Sequence, residues 1–118
     1  AMAVLDVIED EKLMENARVV GHYFRQQLEE VARRHSAIGD IRSAGLFLGV
    51  EIVSDRASKA ADAATTTKIV NGMRKERILI SGTGPRANVL KIRPPLVFTK
   101  GNVDYFIDRF DKVLSALP

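Results

Sequence analysis

Lys91 and Arg93 stand two residues apart in Val89-Leu90-Lys91-Ile92-Arg93, a short apolar-rich run that favours a strand. Side chains alternate along a strand, so both cations share one face while Leu90 and Ile92 share the other. Pro94-Pro95 then closes the strand, because proline cannot donate to a ladder and restricts the residue before it. A cationic pair fixed in this way suits a carboxylate or a phosphate. The same pattern also fits a solvent-facing edge strand whose charges discourage aggregation.

Other chemistry is poorly represented. His22 and His35 are the only histidines, and neither has partners at the spacing that a metal site uses. They read as surface or helix-end residues, and neither a catalytic nor a metal-ligating residue is expected. Ser43 and Ser81 lie outside any G-x-S-x-G elbow, and no histidine and acid are spaced to complete a triad with them. Gly82-Thr83-Gly84 is like a fragment of a phosphate loop, but Ala87 occupies the third glycine position of a dinucleotide fingerprint, so a loop between two strands is expected. Asp40, Glu51 and Asp55 are separated by turns or spread along a strand and form no acid/base pair recognisable from sequence.

The elements that must position Lys91 and Arg93 follow from periodicity. Val20, Tyr23, Phe24, Leu28 and Val31 recur at helical spacing and predict a long amphipathic helix ending near His35, with a turn over 36–39. Leu46, Leu48, Val50 and Ile52 alternate with Phe47, Gly49, Glu51 and Val53 and predict a strand. A second helix is expected over 57–73, weakened in its middle by the β-branched run Thr65-Thr66-Thr67. Ile78-Leu79-Ile80 and residues 89–93 predict two short strands. A last helix carries Val103, Phe106, Ile107, Phe110, Val113, Leu114 and Leu117 on one stripe, with Thr99 or Asn102 as its cap. This order predicts an α+β domain, a small and mostly antiparallel sheet covered by helices on one face.

The chain has 118 residues, 46% of them hydrophobic and 28% charged, which suits one folded domain over 1–118 and excludes a disordered tail. The absence of cysteine excludes disulfides, thiolate metal sites and cysteine nucleophiles, and a cytoplasmic location is the default expectation. No apolar stretch approaches the roughly 20 residues of a membrane span. The net charge of +3 is well mixed, apart from a basic run between Arg74 and Lys100 opposed only by Glu76. That run suits an anionic small molecule or a solvated face. Without aromatic residues on its strand to stack bases, nucleic acid is not an expected partner. The opening Ala1-Met2-Ala3-Val4-Leu5-Asp6-Val7-Ile8 reads as a helix with no cap before it, which suggests a piece of a longer chain.

In order, the segments Ala3-Val4-Leu5-Asp6-Val7-Ile8-Glu9, Glu15-Asn16-Ala17-Arg18, Ile38-Gly39-Asp40-Ile41-Arg42-Ser43-Ala44-Gly45-Leu46-Phe47-Leu48-Gly49-Val50-Glu51 and Asn88-Val89-Leu90-Lys91-Ile92-Arg93-Pro94-Pro95-Leu96-Val97-Phe98-Thr99 resemble the C-terminal small domain of the class III aminotransferases, fold type I enzymes. The resemblance implies a pyridoxal 5'-phosphate enzyme whose larger, upstream domain holds the cofactor as a Schiff base on a lysine. It also implies an amine or amino acid substrate, an amino group passed to a keto acid or aldehyde, and a homodimer. None of Lys12, Lys59, Lys68, Lys75, Lys91, Lys100 or Lys112 has the Schiff-base context, so these residues alone are expected to be inert and to expose apolar surface meant for the large domain. The family usually places an arginine facing the substrate just before the Pro-Pro turn; here Lys91 holds that position and Arg93 stands where alanine is usual. Ser43 likewise replaces a usual glycine. A lysine at 91 is similar to the ethanolamine-phosphate phospho-lyase branch, which implies elimination from a phosphorylated amine as the alternative reaction. A free-standing α+β ligand-binding module is the remaining reading.

Overall fold

The computed structural model describes the backbone over residues 2–117 and the side chains over residues 12–117. Residue 1, and with it the expected uncapped start, lies outside the described residues, as do the side chains of the opening apolar run. Helix α1 (Met2–Arg34) is followed by strands β1 (Ile38–Ala44) and β2 (Phe47–Asp55) and the two-residue β3 (Ala60–Ala61). Helix α2 (Ala63–Lys75), strands β4 (Ser81–Thr83) and β5 (Val89–Ile92), and helix α3 (Lys100–Ser115) complete the chain. The main sheet runs β1-β2-β5-β4 with every pair antiparallel, and β3 pairs with the far end of β2.

One face of this sheet makes the core. Leu48, Val50 and Ile52 of β2 and Leu90 and Ile92 of β5 are buried against Phe24, Leu28 and Val31 of α1, Ile69 and Met73 of α2, and the apolar stripe of α3. Burying each such large side chain contributes roughly 1.5–3 kcal/mol. Phe24, Phe106 and Phe110 interlock, with centroids 5.0 Å apart for Phe24–Phe106 and 5.5 Å for Phe106–Phe110. The alternating residues Phe47, Gly49 and Glu51 face away from all three helices, as the period-two pattern predicts.

The structure departs from the sequence reading in three places. β1 occupies residues read as a turn and an unassigned link. Its register shifts between Ile38 and Asp40, so that Ile38 and Ile41, an odd number of residues apart, are both buried on the core face. A bulge of this kind breaks the alternation by which strands are recognised. α2 starts at 63 rather than 57, because Asp62 caps it: its carboxylate accepts from the Thr65 amide at 3.0 Å and from Thr65 Oγ1 at 2.7 Å. The threonine run therefore sits in the first turns, where Thr66 and Thr67 donate to the carbonyls of Asp62 and Ala63. The strand expected at Ile78-Leu79-Ile80 falls instead at β4. Arg77 takes a left-handed φ of 64° and closes α2, with the Ile78 amide donating to Met73 O at 2.9 Å. Residues 78–80 then pass over the core without a ladder partner.

Two contacts fix α1 against the rest. Its end is tied to the turn and to the start of β1 by Arg56, whose Nη2 donates to Ala32 O at 2.7 Å and to His35 O and Ile38 O at 3.0 Å. Further back, Gly21 faces the β1–β2 turn so closely that a Cβ there would lie 2.0 Å from Gly45 O. Gly45 itself has φ 57°, a conformation that side chains disfavour. Alanine is the better helix former by about 1 kcal/mol, yet Gly21→Ala must push the turn away. We expect a net loss of about 1–3 kcal/mol, the usual range for overpacking, read from urea unfolding. Unchanged stability would show that the turn moves freely.

The end of α1 also meets α3 through charge. His35 Nε2 lies 2.7 Å from Asp111 Oδ1, and Arg34 Nε lies 3.4 Å from the same oxygen. The hydrogen bond from His35, with the Arg34 charge adding to it, holds the Asp111 carboxyl below the usual carboxylate range. A depressed carboxyl stabilises the fold at pH above its unfolded pKa, and that contribution disappears as pH falls through the folded value. Asp111→Asn should therefore lower the urea midpoint near neutrality and make little difference once acid has protonated the wild-type carboxyl. A pH-independent difference would mean that packing, not charge, is what Asp111 supplies.

Candidate anion-binding face

Lys91 and Arg93 do share the sheet face opposite the core. β5 is hydrogen-bonded on both sides, to β2 and to β4, so the edge-strand reading of these charges is corrected: the edges are β1 and β4. On the open face Lys91 lies across from Gly49 of β2 and Ser81 of β4, and Gly49 in turn lies across from Arg42 of β1. Lys91 is half-buried in this row, while Arg93, one residue past the last ladder residue of β5, is exposed.

The cations on this face differ in availability. Arg42 is held by two acids, Asp40 at 3.3 Å and Glu51 at 3.7 Å. Asp40 and Glu51 are cross-strand partners, so Arg42 also relieves the repulsion between them. Among the described residues neither Lys91 nor Arg93 has a carboxylate within ion-pair distance. Arg93 instead places Cζ 5.5 Å from the centre of the Phe47 ring. An unpaired ammonium beside an unpaired guanidinium, on a surface with no helix over it, can bind an anion without first breaking an ion pair.

The segment after Arg93 is anchored to α1. Asn16 Nδ2 donates to Leu96 O at 2.8 Å and Phe98 O at 3.0 Å. Of the two caps the sequence offers, Thr99 is the one that caps α3, in a capping box with Asn102 at the third helical position. Before β5, the buried Asn88 donates from Nδ2 to Ile52 O at 3.0 Å and extends the pairing with β2. Lys91 and Arg93 thus stand between two fixed points.

The remaining candidates have other roles. Ser43 accepts from Arg25 Nη1 at 3.0 Å, and Ser81 is exposed in β4. His22 is exposed on α1, and His35 joins Asp111. Gly82-Thr83-Gly84 is β4 and the start of its turn to β5, not a phosphate cradle. Asp55 accepts from the Ala57 amide and Ser58 Oγ and so closes a turn. The basic run between Arg74 and Lys100 is not one patch: it is divided among the end of α2, the β4–β5 turn and β5, and Glu76 serves Arg109 and Lys112 of α3. Two contributors, Phe47 and Arg42, were not picked out from sequence, since only pairing register reveals that they border Lys91 and Arg93.

A pyridoxal phosphate site needs an enclosed lysine and a carboxylate for the ring nitrogen. All described lysines are exposed except Lys91, which lies on the open face without an acid beside it. The residues present therefore do not fit the cofactor's attachment site. Exposed apolar side chains do flank the Pro-Pro turn: Leu79 is 82% exposed, Val97 66% and Met14 69%. Among the described residues no helix is long and apolar enough to cross a membrane.

Comparison with known proteins identifies the family. The chain is 44% identical over 98% of its length to alanine–glyoxylate aminotransferase 2 homolog 2, a mitochondrial protein of Arabidopsis thaliana, covering 24% of that protein. It is 34% identical over 98% of its length to ethanolamine-phosphate phospho-lyase homolog 1 of Caenorhabditis elegans, covering 25% of it. Among solved structures, a phospholyase from Arthrobacter in complex with phosphoethanolamine superposes with a TM-score of 0.89 at 38% identity, over 99% of this chain and 28% of that one. The chain thus spans about a quarter of the length of the curated relatives it matches. The class-III aminotransferase family matches residues 1–114, and together with the antiparallel sheet and its three covering helices this places the chain in that family.

Proposed function

We propose that residues 1–118 are the C-terminal small domain of a pyridoxal-phosphate-dependent class III aminotransferase, and that its open sheet face presents Lys91 and Arg93 to the anionic group of an amine or amino acid substrate. The observation that carries this reading is the pair of cations on and just after an internal strand that, among the described residues, have no acidic partner and no helix over them. In the complete enzyme the cofactor, held by the larger domain, supplies the electron sink for chemistry at the amine carbon. The residues described here have a different task. The Lys91 ammonium and the Arg93 guanidinium donate hydrogen bonds to the substrate's anion and so orient the amine. Exposed Leu79, Leu96 and Val97 suit docking against the rest of the enzyme. A homodimer belongs to the same reading and rests on the family's usual assembly, while a cytoplasmic location rests on the default for a chain without cysteine.

A second reaction is supported by one feature. Lysine in the position before the Pro-Pro turn replaces a planar fork by a compact point charge, which matches a phosphate as well as a carboxylate. With Arg93 beside it, this favours a phosphorylated amine and elimination of phosphate as the alternative to amino transfer. The free-standing module has no comparable support, because among the described residues the apolar side chains around the turn stay exposed.

Two experiments test the proposal. Borohydride reduction of the complete protein with pyridoxal phosphate should label one lysine stoichiometrically, upstream of these residues, with only scattered labelling here. Specific labelling of a lysine within 1–118 would overturn the division of labour. In the complete enzyme, Lys91→Ala should raise KM for phosphoethanolamine or alanine roughly tenfold to a hundredfold, the range for a lost charge-assisted hydrogen bond. An unchanged KM for both would remove Lys91 from the site.

A further inference from the structure

Arg93 lies where the sheet no longer holds the chain. The last ladder pair between β2 and β5 is Leu48–Ile92, and Pro94, the residue after Arg93, has no amide hydrogen with which to continue it. A free arginine side chain in such a place samples many rotamers, and each must be given up when an anion binds. What Arg93 touches is Phe47, the first residue of β2, with Cζ 5.5 Å from the ring centre.

Phe47 has no role in the core. It is 46% exposed and on the open face, where its ring is available to the Arg93 side chain. Its position is nevertheless rigid. It pairs with Ala44 across the β1–β2 turn, Leu46 beside it is buried at 5% exposure, and the turn is held against Gly21 of α1 by the close backbone approach at Gly45. The ring is thus a fixed platform at the margin of the cationic face. A guanidinium over a ring face is attracted by the ring quadrupole and keeps its N–H donors in its own plane, where an anion can still reach them.

We infer that Phe47 is a positioning residue for substrate recognition: its ring holds the Arg93 guanidinium in place for the substrate anion and so sets the preference for anionic over uncharged amines. This rests on the assignment of Lys91 and Arg93 to the anion site. It also explains why an arginine can serve two residues beyond the strand position that the family usually fills. Phe47 sets the position from which Arg93 acts, and Lys91 supplies the second charge from within the ladder.

The test uses the complete enzyme with phosphoethanolamine and alanine as anionic amines and propylamine as the uncharged control. KM, kcat and the equilibrium dissociation constant are measured for each. Phe47→Leu keeps an apolar side chain and removes the ring; it should weaken binding of the better anionic amine about three- to tenfold, with kcat little changed and propylamine unaffected. Phe47→Tyr, which keeps the ring, should restore the wild-type value. Adding Phe47→Leu to Arg93→Ala should cause no further loss, because the two act through one contact. If Arg93→Ala weakens anion binding but Phe47→Leu does not, the role of Phe47 is overturned while the anion site stands. Equal weakening for propylamine, failure of tyrosine to restore, or full additivity of the double variant would also overturn it. If Arg93→Ala itself leaves anion binding unchanged, Arg93 has no part in the anion site, and the inference falls with it.

Discussion

Because β2 is hydrogen-bonded to β1 on one side and β5 on the other, the alternation of its side chains determines both halves of the molecule. Leu48, Val50 and Ile52 require an apolar cover, and three helices supply it. Phe47, Gly49 and Glu51 are then displayed on the other face with the odd-numbered residues of β5. A one-residue slip in pairing would exchange these sets and put Lys91 against Phe24 and Phe106, at the cost of burying a charge without a partner. The register that makes the core is thus the register that displays Lys91 on the opposite face.

That coupling gives the backbone approach between Gly21 and Gly45 an importance out of proportion to its size. The turn it fixes joins β1 to β2 and carries Phe47 at its exit, so a helix on the core side controls the position of a ring on the open side. Asn16 acts in the same sense one turn earlier, holding the Pro-Pro segment by its carbonyls. α1 is both a wall of the core and the frame from which the two ends of the site are hung.

Much of this was legible in the residues. The stripes of α1 and α3, the alternation of β2, the Thr99 cap and the shared face of Lys91 and Arg93 all follow from spacing alone. β1 was not legible because its bulge at Gly39 shifts the phase of alternation between Ile38 and Ile41, so that no window shows a clean period. The start of α2 was misplaced because alanine-rich residues 57–61 have helix propensity, while Asp62 accepts from the free amide of Thr65 and imposes a later start. Ile78-Leu79-Ile80 has strand composition, but the left-handed Arg77 directs it away from a ladder partner. In the site, Phe47 and Arg42 were hidden for a single reason: they are distant in sequence from Lys91 and Arg93 and become neighbours only through strand pairing.

Charge makes the same point more sharply. By composition Arg42, Lys91 and Arg93 are equivalent cations on one surface, yet pairing leaves them unequal. Arg42 sits beside two carboxylates that face each other across β1 and β2, so its charge is spent within the sheet, and an incoming anion would have to compete with both. Lys91 is separated from Arg42 by Gly49, whose missing side chain leaves the ammonium with backbone rather than an acid beside it. Arg93 is met by a ring instead of a carboxylate, an interaction that orients a guanidinium without neutralising it. The unpaired cations thus stand where the sheet withholds its acids, and the order of residues across the strands, not the net charge of the chain, decides where that is.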